Sequence, residues 1–167
     1  MKPVYLLLVL AICPSLLAQS PVRETLAYSR DTTSGIPGRT NTASSSQIPI
    51  KTDYFIYIVI KKGVPVASAT ACVLGKSYAA KLQKVSPPVL LEHNAVVPTG
   101  IKDTLVKPTS DDVYQVILGA QQGSNCRVPD EGKQGQTHQV VVSLKSGEST
   151  WYCLADKIVP LRPAAGS

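Results

Sequence analysis

Aromatic side chains are scarce: seven tyrosines, one tryptophan and one phenylalanine in 167 residues. A core so poor in rings must be built mainly from aliphatic side chains, which suits a small β module better than a large cleft with aromatic walls. Long apolar runs are also missing. The most apolar stretch, Val4 to Ile12, falls well short of the ~20 residues that a membrane-spanning helix needs. Basic clusters go no further than the pair Lys61-Lys62, and no aromatics are interleaved with the basic residues to stack on bases. Nucleic acid is therefore disfavoured as a partner. Lys+Arg 17 against Asp+Glu 11, a net charge of +6 partly carried by the tails, leaves a mild, salt-sensitive attraction to anionic surfaces or glycans.

The motifs of metal and nucleotide chemistry are missing too. His93, His138, Asp111, Asp112, Asp130 and Glu131 fall in no Cys-x-x-Cys, His-Glu-x-x-His or calcium-loop spacing, so no metal and no cofactor is expected. Gly75-Lys76-Ser77 looks like the end of a phosphate-binding loop, but the glycine required five positions earlier is Thr70, and a turn accounts for it better. Asp111-Asp112 follows Pro108-Thr109-Ser110, a setting in which aspartates bond the local backbone at a strand entry.

The N-terminus has the layout of a signal peptide. Lys2 supplies positive charge, Val4 to Ile12 an apolar stretch, Pro14 a break and Ala18 a small residue, which predicts cleavage after Ala18 and export. A lipoprotein site at Cys13 is the competing reading, disfavoured by the large Ile12 before it. After cleavage no integral membrane segment remains. Export allows disulfides, and three cysteines are left: Cys72, Cys126 and Cys153. Three pairings are possible. The preferred one staples the polar loop around Cys126 onto the strand holding Cys153, with Cys72 as a small buried hydrophobe.

From Gln19 to about Ile50 the chain is rich in Ser, Thr, Gly, Pro and Arg, a composition that buries too little to offset its ordering entropy, and 19–50 reads as a flexible spacer. The ordered domain is expected over 51–161, with 162–167 as a tail. Its nucleus is Tyr54-Phe55-Ile56-Tyr57-Ile58-Val59-Ile60, the composition of a strand packed on both faces or central in a sheet. Lys61-Lys62-Gly63 then predicts a turn that brings Val64 to Val73 back antiparallel beside it. Extended, this segment puts Ala67, Ala69 and Ala71 on one face. Residues 76–85 read as a short helix or a strand, because Ala67, Ala71, Leu74, Tyr78, Leu82 and Val85 recur at helical intervals that Gly75 interrupts. Ser86-Pro87-Pro88 ends that element.

Further strands are expected at Val89-Leu90-Leu91, at Thr104-Leu105-Val106, and over Val113 to Leu118 with Tyr114, Val116 and Leu118 on one face. Gln139 to Leu144 and Ser149 to Leu154 form a hairpin about Lys145-Ser146-Gly147-Glu148, and Lys157 to Leu161 adds an edge strand. Six or seven short strands with polar turns predict an antiparallel sandwich or small barrel. The functional expectation is an exported, non-catalytic accessory or interaction module whose partner is a protein or an envelope component. Two alternatives are a small thiol hydrolase using Cys72 with His93 or His138, and a module for glycans or anionic polymers that would show Trp151 or several tyrosines together on one face.

Overall fold

A strand that is apolar on both faces needs cover on both, and this requirement organises the fold. The computed structural model describes residues 20–33, 50–93, 100–124, 126 and 138–163. Every regular element among them is a strand: β1 (Val22–Thr33), β2 (Ile50–Ile60), β3 (Ser68–Val73), β4 (Lys76–Val85), β5 (Val89–Glu92), β6 (Lys102–Val106), β7 (Asp112–Ser124), β8 (Val140–Ser146), β9 (Ser149–Ala155) and β10 (Val159–Pro160). Eight of them form one curled sheet in the order β10-β1-β2-β7-β4-β3-β8-β9, and β5-β6 form a second, two-stranded sheet. The mainly β, barrel-like expectation is met by this half-barrel and its attached ribbon. No helix among the described residues is long and apolar enough to cross a membrane. The expected signal peptide lies outside the described residues.

Side chains on β2 alternate between two apolar clusters, as a period of two requires. Ile56, Ile58 and Ile60 face the concave interior, where they meet Ala27, Ala69, Ala71, Val73, Val116, Val140, Val142, Leu144 and Cys153. Tyr57 and Val59 face the outside, where Leu105, Val106 and Val113 cover them. The β5-β6 ribbon is fastened there by the Tyr28 hydroxyl, which donates to the Leu105 carbonyl at 2.8 Å. Burial pushes the Tyr28 hydroxyl above its ordinary pKa, helped by the charge of Glu24.

Two expectations about the neighbours of β2 need correction. Antiparallel β1 and β7 occupy its two edges, so Val64 to Val73 does not pair with it. Gly63 does take a positive φ of 83°. Its N–H is held by the Asp112 carboxylate at 3.1 Å, and the chain leaves the strand to enter β3 between β4 and β8. The spacer reading fails over Val22–Thr33, which is a strand paired with β2 from Val22↔Ile60 to Thr33↔Ile50. Its polar composition is tolerated because, among its described side chains, only Ala27 is buried, while the apolar content of the pair comes mainly from β2. The remainder of the expected spacer and residues 164–167 lie outside the described residues.

The ambiguous segment 76–85 is strand, not helix. Leu74 (φ 49°) and Gly75 (φ 77°) both have positive φ, as the two central residues of a type I′ hairpin turn do, and this breaks the helical interval. The alanine face is buried as expected, with Ala69 and Ala71 in the interior cluster. The hairpin β8-β9 closes at Ser146↔Ser149. There Gly147 has a φ of 57° and no positive φ is found at Glu148, the pattern of a type II′ turn.

The sheet nearly meets itself. Only residues 156–158 link β9 to β10, which span no more than ~14 Å from Ala155 to Val159, yet β9 and β10 stand at opposite ends of the strand order. β10 pairs in parallel with β1 at Tyr28↔Val159, and β9 lies against β1 without pairing to it. At the rim, Lys84 and Asp112 form an ion pair at 2.8 Å. Hydrogen bonds from Lys84 and the Gly63 N–H hold the Asp112 carboxyl below its ordinary value.

Two predictions follow from the turns and the rim. A lowered carboxyl pKa stabilises the fold above the ordinary value of 3.8, and that contribution disappears as pH falls through the lowered folded value. Asp112→Asn should therefore lower the urea midpoint near neutral pH, and the gap to wild type should close at the acid end; a gap that persists there would refute the assignment. Leu74 is 53% exposed and loses little packing when replaced, so Leu74→Asn should stabilise by about 1 kcal/mol by relieving the left-handed backbone cost, read as a higher thermal midpoint.

Candidate functional site

The cysteines divide differently from the expected pairing. Cys72 and Cys126 are joined in a disulfide, and Cys153 is the free, buried cysteine. Sheet geometry gives the reason. Cys153 stands beside Val142 in the register and is fully buried in the interior cluster. Cys72 stands beside Val141, one residue out of phase, and so faces the opposite side of the sheet, where the Cys126 N–H donates to the Gly75 carbonyl at 3.3 Å. A staple from Cys126 to Cys153 would have to pass through the sheet. The role of small buried hydrophobe belongs to Cys153, whose thiol burial pushes up to about 12.

The residues named for a thiol hydrolase are not brought together. A disulfide sulfur at Cys72 is not a thiolate nucleophile. His138 Nδ1 lies 2.6 Å from Asp156 beyond the end of β9, and His93 Nε2 lies 2.8 Å from Asp103 beside β6 without the alignment of a hydrogen bond. The expected local bonds from the Asp111 and Asp112 side chains are replaced by others: the Asp111 N–H donates to the Thr109 hydroxyl at 3.1 Å, and the Asp112 carboxylate accepts from Gly63, 49 residues away in sequence. Asp130 and Glu131 lie outside the described residues. Among the described residues no group of three or more His, Cys, Asp or Glu is placed to hold a metal ion.

What the fold does assemble is a cleft between two strand ribbons. The ladder between β2 and β7 runs from Ile60↔Asp112 to Ile56↔Val116 and stops there. Beyond that point β2 continues to Ile50 against β1, and β7 continues to Ser124 against β4. Along this part of β7 its ladder with β4 is interrupted by two register shifts, first at Tyr78/Ala80 and then at Ser77/Tyr78. Ala80 opposes Leu118 and Tyr78 opposes Gln121, so β7 holds an extra residue there. Such bulges bend a strand and increase its twist, which turns β7 away from β2. Gly119 sits at the first shift, where a Cβ would come 3.3 Å from the Ala79 carbonyl oxygen.

The resulting cleft has a volume of about 630 Å³ and is lined by Arg30, Tyr54, Phe55, Tyr78, Ile117 and Leu118 among others. That lies within the roughly 300–1,000 Å³ typical of binding clefts. Residues 50–55 of β2 and 117–124 of β7 have no ladder partner on the sides facing it among the described residues. Ile117 is 40% exposed. Tyr54 and Tyr78 are half-buried rings that also pack on the interior cluster. Burial raises the Tyr54 pKa, followed by the charges of Tyr78 and Asp31.

Arg30 is the one cation of the cleft wall held by an aromatic ring. Its guanidinium lies 5.3 Å from the Phe55 ring centroid, Nη1 donates to the Glu92 carbonyl at 3.3 Å, and Nε is buried with no acceptor. Sequence reasoning missed Arg30 because it sits in Ala27-Tyr28-Ser29-Arg30-Asp31-Thr32, a polar stretch that reads as spacer. The alternation of the larger Leu26, Tyr28 and Arg30 with the small Thr25, Ala27 and Ser29 was the available signal.

No family model, no curated protein and no solved structure matches the chain, so its chemistry must be read from this geometry alone. Unpaired backbone donors and acceptors beside apolar rings can hold an extended chain. The thiol assignment is checked by alkylation mapping. Of Cys72, Cys126 and Cys153, none should react with iodoacetamide in the native protein near neutral pH, Cys153 alone should react after unfolding, and the peptides of Cys72 and Cys126 should remain linked until reduced. Native modification of Cys72 would overturn the pairing and reopen the thiol-hydrolase reading.

Proposed function

We propose that the chain is an exported, non-catalytic binding module that takes an extended polypeptide segment, from a protein or envelope component, into the cleft between β2 and β7. The observation that carries this reading is the pair of diverging strand edges, residues 50–55 and 117–124, which have no ladder partner on the sides facing the cleft among the described residues. An incoming strand satisfies those backbone groups, and its alternate side chains meet Tyr54, Phe55, Tyr78 and Ile117. The signal-like N-terminus and a disulfide, which persists in oxidising compartments, support export. The rings of Tyr54 and Tyr78 in one cleft favour a second reading, a glycan-binding module.

Selection of short random peptides on the folded protein tests the first reading. Selected peptides should slow amide hydrogen exchange in 51–55 or 117–124, and Ile117→Lys should weaken their binding by about tenfold or more by charging the cleft, with the thermal midpoint unchanged because Ile117 is exposed. Peptides that protect other strands, or no peptides at all, would overturn it. Retention on a β-glucan or heparin matrix that is lost on Tyr54→Ala would instead support the glycan reading.

A further inference from the structure

Arg30 is not paired as its position would suggest. In the register it stands directly opposite Asp53, a placement in which opposite charges ordinarily pair across strands. Asp53 is engaged elsewhere: Lys51 lies 3.0 Å from Oδ1, and the Thr32 hydroxyl donates to Oδ2 at 3.5 Å. The nearest other carboxylate on this strand, Asp31, accepts from the Thr52 hydroxyl at 2.7 Å. Among the described residues Arg30 has no ion pair. Of its five N–H donors, a single one meets an acceptor among the described residues, a neutral carbonyl at 3.3 Å, and the buried Nε has none.

A guanidinium in this condition is prepared for a carboxylate. Phe55 lies beneath it at 5.3 Å and the Glu92 carbonyl holds one corner, so less side-chain freedom remains to be lost on binding. Its fork geometry matches a carboxylate two bonds at a time. Arg30, on β1 at the paired edge of β2, lines the cleft through a guanidinium that lies over Phe55 of β2, and a strand laid along the other edge of β2 presents a side chain every second residue. We infer that the extended segment bound in this cleft carries an acidic side chain or its C-terminal carboxylate against Arg30, so that the partner is an acidic peptide segment. The inference rests on the strand-addition reading above and names the chemistry of its ligand. The net charge of +6 complements such a partner and adds a salt-dependent contribution to the association rate.

The test uses the full chain and the peptides selected on it. Selected peptides should share Asp, Glu or a free C-terminus at one position. Changing that group to its amide should weaken binding to wild type by about tenfold or more, and added salt should weaken the acidic peptide more than the amide. On Arg30→Gln the acidic and amide peptides should bind alike, and Arg30→Lys should restore only part of the difference, because an ammonium lacks the fork. If Arg30→Gln fails to fold, the comparison of acidic and amide peptides on wild type decides. Peptides that protect 51–55 or 117–124 yet show no acidic preference, or whose amide forms bind as well, would overturn the carboxylate inference and leave strand addition standing. A library that yields no binder at this cleft removes both.

Discussion

Burial of β2 on both faces is the constraint from which the other features of the structure descend. Ile56, Ile58 and Ile60 are almost wholly hidden on one side and Tyr57 and Val59 on the other. The three isoleucines alone contribute on the order of 5–9 kcal/mol by area, comparable to the whole net stability of a small domain. A strand worth that much must also have both edges paired, since its backbone groups lie where water cannot reach them. β1 and β7 fill those edges. This demand draws a polar, Ser- and Thr-containing segment into regular structure, and it sends the chain after Gly63 around to β3 instead of back along β2.

The same pairing that builds the core ends abruptly at Ile56↔Val116, and the cleft is its by-product. Up to that point three strands share one ladder, and beyond it each ribbon follows its own twist, which is larger in two-stranded ribbons than in wide sheets. The bulges opposite Tyr78 and Ala80 enlarge the divergence. Continuous pairing to the ends of β2 and β7 would be the ordinary way to protect these edges, and its absence leaves unpaired strand edges that natural proteins usually cover or charge. Lys51 and Asp53 supply some charge on the β2 side, while the β7 side presents Ile117 and Leu118. Among the described residues, a partly apolar edge without a strand partner and an arginine without an ion pair thus line the same cleft.

Much of the fold was legible because it depends on local pattern. The run Tyr54 to Ile60, the alanine face of β3, the stripe Tyr114-Val116-Leu118 and the turn at Gly147 each report a period of two or a positive φ within a few residues. Pairing partners were not legible in the same way: whether β2 lies next to β3 or β7 depends on competition between whole strands, which no local window contains. The disulfide failed for a related reason, since the parity that places Cys72 and Cys153 on opposite faces follows from the registers of β3, β8 and β9 together. The candidate site was the least visible part. It arises where pairing stops, and Arg30 matters through the partners it lacks, neither of which leaves a mark in composition.

The strain at Leu74 shows how these levels compensate one another. A leucine in the left-handed region costs roughly 1–2 kcal/mol and gains little from packing at 53% exposure. The turn is nonetheless tied down from three directions: the Leu74 N–H donates to the Gln139 carbonyl at 2.8 Å, the Cys126 N–H to the Gly75 carbonyl, and the disulfide closes a span of 54 residues. On chain-entropy grounds a loop of that length is stabilised by about 4 kcal/mol, which exceeds the backbone cost. The covalent link therefore offsets the cost of a leucine in the β3-β4 turn. β4, which leaves that turn, is also the strand against which β7 bulges at the cleft. The link thus joins the end of β3 to Cys126, two residues past the end of β7, across the cleft from the β1-β2 ribbon.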